Sequence, residues 1–353
     1  MEYKNILVTG GAGFIGSNIC LYLKQRYPKA GIIALDNLKR RGSELNIQRL
    51  TCNGISFFHG DIRCREDLDI KGPIGLIIEC SAEPSVFADI SSGPEYVINT
   101  NLMGMVNCLE LARKKASDFI FLSTSRVYPY TGINALKIKE EKSRFVWNEK
   151  RGIKGFSSRG ISEDFCLEGA KSLYGATKLS CELLLTEYAV NYSIGAVINR
   201  LGVVAGPWQF GKTDQGFISL WTLAHLFKKP LSYIGWSGKG RQIRDILHID
   251  DLCRLIGMQI DGMDKGSARV YNVGGGAGNS LSLLELTVLC RSVTGNKTRI
   301  LSESRTRPFD VPVYITDNSR VCADYGWRPS ASKEKIIEDV CEWARGTSYR
   351  SFE

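Results

Sequence analysis

No stretch of this 353-residue chain stays apolar for the roughly 20 residues that a membrane-spanning helix needs. The first residues, M-E-Y-K-N-I-L-V-T-G, lack the apolar core of a secretory signal, so the cytoplasm is the expected compartment. Histidine is scarce, with only His59, His225 and His248, and neither C-x-x-C nor H-E-x-x-H occurs, so no protein-ligated metal is expected. The eleven cysteines are odd in number, and the closest two, Cys52 and Cys64, lie twelve apart. Most sit in apolar segments such as I-I-E-C, which predicts reduced thiols rather than disulfides. A formal charge of +9 invites thought of nucleic acid or an anionic membrane surface, but the basic residues are interspersed with acids, as in K-I-K-E-E-K-S-R. Only Lys39-Arg40-Arg41 and Arg113-Lys114-Lys115 cluster, and no basic stripe interleaved with aromatics is present, so neither nucleic acid nor membrane is an expected partner. Repeats and low-complexity tracts are also missing.

What is present is a chain with 43% hydrophobic and 24% charged residues, long enough for about two lobes. Short apolar runs alternate with helical patterns: 5–10, a helix from Phe14, 31–36, 55–61, 76–80, a helix within 95–115, then 118–124. Runs rich in Ile and Val separated by helices predict an α/β fold, a doubly wound, Rossmann-type parallel sheet covered on both faces. The apolar rhythm lapses from Pro129 to about Ser172, predicting a long functional loop (129–172) within a first domain of residues 1–201. Residues 202–353 read as a smaller substrate-binding lobe that hands some elements back to the main sheet. Ser282 and Glu285 have capping-box spacing at the start of one of its helices.

The segment V-T-G-G-A-G-F-I-G-S, residues 8–17, holds G-x-G-x-x-G at Gly11, Gly13 and Gly16, and a wider spacing from Gly10. Either pattern alone is weak. Here it follows a strand and opens a helix, where bare backbone approaches a pyrophosphate and the helix N-terminus meets its charge. Asp36 ends the second strand twenty residues after Gly16, placed to accept from both ribose hydroxyls. That predicts NAD, with Lys39, Arg40 and Arg41 keeping NADP open. A second signal is S-L-Y-G-A-T-K, residues 172–178, in which Tyr174 and Lys178 share a helix face. An ammonium beside a phenol favours the phenolate, and beside a nicotinamide such a tyrosine can take the proton of a hydroxyl whose carbon gives up hydride.

With these motifs, over nearly its whole length, the chain resembles the extended short-chain dehydrogenase/reductase family of NAD-dependent sugar-nucleotide epimerases and dehydratases. The resemblance implies that Tyr174 and Lys178 work with Thr124 of S-T-S-R-V-Y. It implies a cofactor site at Gly10, Gly13, Phe14, Ile15, Gly16, Asp36, Asn37, the Asp61-Ile62 pair at adenine, Cys80, Ser81, Ala82, Asn101 and Ser123. Ser125, Arg126, Gln215, Arg244 and Arg307 would contact substrate, with both Arg244 and Arg307 on its diphosphate, although Asp245 and Asp310 stand close enough to pair with them instead. Dehydratases of the family carry Asp-Glu directly after the threonine, whereas Ser125-Arg126 stands here, which favours epimerisation. The stretches D-N-L-K-R-R-G and G-K-G-R-Q-I-R-D-I-L-H look most like the CDP-paratose (CDP-tyvelose) 2-epimerase branch. A CDP-hexose is then the favoured substrate, a UDP-hexose 4-epimerase the alternative, and a 4,6-dehydratase or a non-catalytic dinucleotide binder the remaining readings. A homo-oligomer, dimer or tetramer, is expected on the same ground. The chain departs from the family at Glu79-Cys80-Ser81-Ala82, where H-x-A-A is common, and at Val127-Tyr128-Pro129 in place of V-Y-G.

Overall fold

Strands whose residues are buried from end to end require cover on both faces, and Asp118–Thr124 and Gly195–Leu201 are buried throughout. In the computed structural model, which describes residues 3–88, 93–211 and 216–346, they lie side by side in a seven-stranded sheet. Its order is Ser267–Val273, Gly195–Leu201, Asp118–Thr124, Leu76–Glu79, Asn5–Thr9, Gly31–Asp36, Ser56–His59. The five strands from Asp118–Thr124 to Ser56–His59 pair in parallel. Chain order reverses on the two sides of Asn5–Thr9, which makes the crevice beyond its carboxyl end the switch point where such sheets bind ligands. Register brings Glu79 opposite both Thr9 and Phe121 at that edge.

The helices Gly104–Lys115 and Leu173–Tyr192 cover one face, packing Cys108, Leu109, Cys181, Leu185 and Ala189 against Leu7, Ile77, Phe119 and Phe121. On the other face lies Phe14–Arg26, joined to the chain at 257–261 by Tyr27, whose hydroxyl donates to Asp261 at 2.8 Å. The sequence places the strand ends within two residues, because each apolar run stops at a polar or glycine residue. The expected helix at 95–115 is interrupted by a π-helical turn at Asn99–Met103, a feature that apolar spacing does not reveal.

The chain falls into two compact units. The first comprises Met1–Val127, Ser172–Arg200 and Leu252–Tyr271, and the second Tyr128–Lys171, Leu201–Asp251 and Asn272–Glu353. The stretch expected as a loop of the first domain thus belongs to the second unit. It is also not simply a loop, because Ile138–Glu140 pairs with Phe145–Trp147 and Phe156–Ser157 with Gly160–Ile161. Phe145 packs with Ile243, Val313 and Ile315, and these few apolar anchors, scattered among Gly, Lys and Glu, carry no periodicity for the sequence to show. In the same unit Ile243–His248 pairs with Val203–Ala205, Ser280–Ser282 and Val313–Tyr314. The helix Leu283–Thr294 carries the expected capping box, with Ser282 and Glu285 each accepting from the other's backbone. No disulfide joins any of the eleven cysteines, all of which lie among the described residues. Among the described residues no helix is long and apolar enough to cross a membrane, and no three His, Cys, Asp or Glu side chains gather as a metal group.

Candidate active site

Gly10 turns the chain at φ +63°, and a Cβ there would lie 2.9 Å from the backbone of Cys80 and Ser81. The glycine turn and the turn after Leu76–Glu79 are therefore in direct backbone contact at the switch point. The helix Phe14–Arg26 begins at Gly13 with no side-chain cap, which leaves the first-turn amides of Phe14, Ile15 and Gly16 facing outward for an anion. Asp36 is buried; its Oδ2 accepts from Ala12 N at 3.1 Å and its Oδ1 from Leu38 N at 2.8 Å. Burial raises the Asp36 carboxyl above its ordinary value, and the backbone N–H groups offset only part of that rise. Each carboxylate oxygen keeps acceptor capacity for a ribose hydroxyl. Asn46, which the sequence did not single out, donates to Ala12 O at 2.8 Å and pins the turn from beneath. These features fit a dinucleotide pyrophosphate and an unphosphorylated adenosine ribose. Lys39, one of the three cations that kept NADP open, lies over the Tyr96 ring with Nζ 3.5 Å from its centroid.

Asn37 Nδ2 donates to Asp61 Oδ2 at 2.9 Å, so two positions named from the family resemblance are in contact. Arg63 grips the same carboxylate, with NH2 2.6 Å from Oδ2. Burial alone would raise the Asp61 pKa, but the Arg63 and Asn37 hydrogen bonds outweigh it and bring the value down to about 2. A depressed carboxyl contributes stability that is complete above the unfolded pKa and is lost as pH falls through the folded one. Arg63→Met should therefore cost about 1 kcal/mol near neutral pH, a modest figure because the pair is partly open to water. In urea titrations the gap between parent and variant should close between about pH 4 and pH 2; a gap that stays constant on acidification would contradict this account.

Thr124 ends the strand Asp118–Thr124, buried, with its Oγ1 accepting from Arg126 N at 3.1 Å, so the hydroxyl proton remains to donate. The helix Leu173–Tyr192 starts at Ser172, whose Oγ accepts from Gly175 N at 3.2 Å. That cap sets Tyr174 in the first turn, half-buried, and Lys178 one turn further in, 3% exposed. Lys178 Nζ sits 4.1 Å from the Phe121 ring centroid and 3.7 Å from Glu79 Oε2. The carboxylate that the sequence left without a role is therefore the ion-pair partner of Lys178. Burial raises the Glu79 carboxyl, and Lys178 and the Ser81 N–H counter only part of the rise. Its Oε1 is buried without a hydrogen-bond partner among the described residues.

Asn101 lies in the π-helical turn, accepts from Glu83 N at 2.8 Å and donates to Thr177 Oγ1 at 3.3 Å, tying the segment after Cys80-Ser81-Ala82 to the Tyr174 helix. Ser123 donates to Glu182 Oε1 at 2.5 Å, and Glu182 pairs with Arg200 at 2.7 Å in a fully buried network behind Thr124. Glu182 could have been suspected, since it stands one turn beyond Lys178 on a face that the sheet covers. Ile62 is buried, and its carbonyl accepts from Asn107 at 2.8 Å. Ser125 and Arg126 begin the 3₁₀ turn Ser125–Val127. In the second unit Arg244 pairs with Asp310 at 2.7 Å, while Asp245 turns away to accept from Gly276 N at 2.9 Å. The aspartate that stands near Arg307 in the sequence therefore holds Arg244, and the one adjacent to Arg244 does not. Arg307 belongs to the same unit, and Gln215 lies outside the described residues.

Residues 6–274 match the NAD dependent epimerase/dehydratase family. The chain is 28% identical over 349 residues to the CDP-paratose 2-epimerase of Salmonella typhi, covering 96% of this chain and 98% of that protein. It is 27% identical over 348 residues to a dTDP-glucose 4,6-dehydratase of Streptomyces niveus, covering 96% and 92% respectively. Among solved structures, the UDP-glucuronic acid 4-epimerase of Bacillus cereus in complex with UDP-glucuronic acid and NAD superposes with a TM-score of 0.77 at 26% identity, covering 97% of this chain and 99% of that one.

Proposed function

Because the chain belongs to the NAD dependent epimerase/dehydratase family, we propose that it epimerises one carbon of a nucleotide-diphosphate sugar through transient oxidation, with a CDP-hexose inverted at C2 as the reaction. Residues 10–16, 36–37, 61–62 and 80–82 would hold NAD, which when bound would supply the acceptor and donor of hydride for the sugar carbon. Tyr174 accepts the proton of the hydroxyl on that carbon, and Thr124 donates a hydrogen bond to the same oxygen, holding it as the carbon becomes planar. Lys178 supplies the positive charge that favours the tyrosine's ionised form. After the keto sugar turns over, Tyr174 returns the proton as the opposite face is reduced, so no net oxidant is consumed. Ser125, Arg126 and Gln215 are assigned to the sugar, and Arg244 and Arg307 to the diphosphate, where the Asp310 carboxylate must share or release the Arg244 guanidinium.

The observation that carries this reading is the helix start that buries Lys178 and presents Tyr174 in the same unit as the Thr124 strand end. Likeness to the CDP-paratose 2-epimerase supports C2 of a CDP-hexose, and likeness to the UDP-glucuronic acid 4-epimerase supports the second reading, C4 of a UDP-sugar. Dehydration has less support, since Ser125-Arg126 supplies no acid-base pair beside Thr124. Incubating the NAD-loaded protein with CDP-, UDP-, GDP- and dTDP-hexoses in heavy water separates the readings by NMR. The expected product is a CDP-hexose inverted at C2 with protium retained there. Solvent deuterium at the inverted carbon would rule out hydride return, and a 4-keto-6-deoxy product would identify a dehydratase.

A further inference from the structure

Lys178 and Glu79 are both almost wholly buried, with side chains 3% and 2% exposed, and they meet at 3.7 Å. Removing one partner of such a pair leaves an uncompensated charge, so each strongly constrains the other. The geometry points to Glu79 as a positioning residue that holds the Lys178 ammonium under the Tyr174 turn and, by cancelling part of its charge, sets the pH at which the Tyr174 phenol gives up its proton. This rests on the proposed function for its catalytic meaning only.

The surroundings leave little else to do this. Among the described residues the Lys178 ammonium pairs with the Glu79 carboxylate and also lies over the uncharged Phe121 ring. The half-buried Cys80 and the buried Cys108 are thiols pushed well above the ordinary range by desolvation, and the buried Cys181 is pushed up to about 12. They stay neutral wherever the tyrosine titrates usefully. Glu182, further along the helix, is neutralised by Arg200. Phe121 and Glu79 are register partners on adjacent strands, so the ring fixes one side of the ammonium and the carboxylate another. A lysine alone would favour the phenolate more strongly than a lysine whose charge is shared with a carboxylate.

The test reads position 174 directly. Ultraviolet difference titration follows tyrosinate formation in the NAD-loaded protein, with the Tyr174→Phe variant subtracted as background, and needs no sugar substrate. In Glu79→Gln the Tyr174 component should ionise about one pH unit lower than in the parent chain, while Glu79→Asp, which keeps the charge, stays with the parent. With an active substrate, the acid limb of kcat/KM should move by the same amount. An unmoved midpoint in Glu79→Gln, or an equal shift in Glu79→Asp, overturns the assignment. Should Glu79→Gln fail to fold, Glu79→His, neutral across the alkaline titration, is read in the same way. A protein that shows the shift yet converts no sugar nucleotide would refute the proposed function and leave the role of Glu79 intact.

Discussion

Replacing Tyr174 with phenylalanine should lower kcat by about a thousandfold and leave NAD affinity within a few-fold of the parent. The expectation follows from what the substitution leaves in place. The ring keeps its position in the first turn of Leu173–Tyr192, because that turn is fixed by the Ser172 cap on Gly175 and not by the phenolic oxygen. Lys178 remains seated between Phe121 and Glu79. Only the proposed proton acceptor is lost, and the Thr124 hydroxyl, itself a very weak base, is a poor substitute. Stopped-flow or NMR turnover measured beside calorimetric NAD binding checks both halves. A variant that keeps a tenth or more of the parent rate would remove Tyr174 from its assigned role.

Gly16→Ala is expected to weaken NAD binding at least about a hundredfold and to cost about 2–3 kcal/mol of stability. A Cβ at position 16 would stand 2.2 Å from Gly10 O, 2.8 Å from Gly10 C and 2.9 Å from Gly11 Cα. All three obstacles are backbone, and they cannot retreat, because the Gly10 turn is itself wedged against Cys80 and Ser81. The helix start must move away from the strand end, carrying with it the first-turn amides of Phe14 and Ile15 that would face the pyrophosphate. Gly13→Ala provides the contrast: its Cβ would meet only Gly10 O, at 3.1 Å, and should lose far less affinity. Equal losses at the two positions would show that the glycines act through flexibility and not through close approach.

Much of the first unit was legible because its signals are local. Each buried strand is a continuous apolar run, the glycine spacing stands between a strand and a helix, and Ser282 and Glu285 cap their helix through neighbours three residues apart. The pair Tyr174–Lys178 needed only the helical repeat to share a face. The 128–171 stretch escaped because its two short hairpins are anchored by isolated residues such as Phe145, whose partners Ile243 and Val313 lie far along the chain.

The sequence alone determined the Rossmann-type sheet, the glycine turn between its first strand and helix, the aspartate that ends the second strand and the tyrosine-lysine pair on one helix face, since each is written in residues within a few turns of one another. Only the tertiary structure decided that Glu79 belongs to Lys178, that Asn37 meets Asp61, and that Arg244 takes Asp310 over its neighbour Asp245. Those contacts depend on strand register and on where a helix lands across the sheet, and no spacing along the chain encodes either.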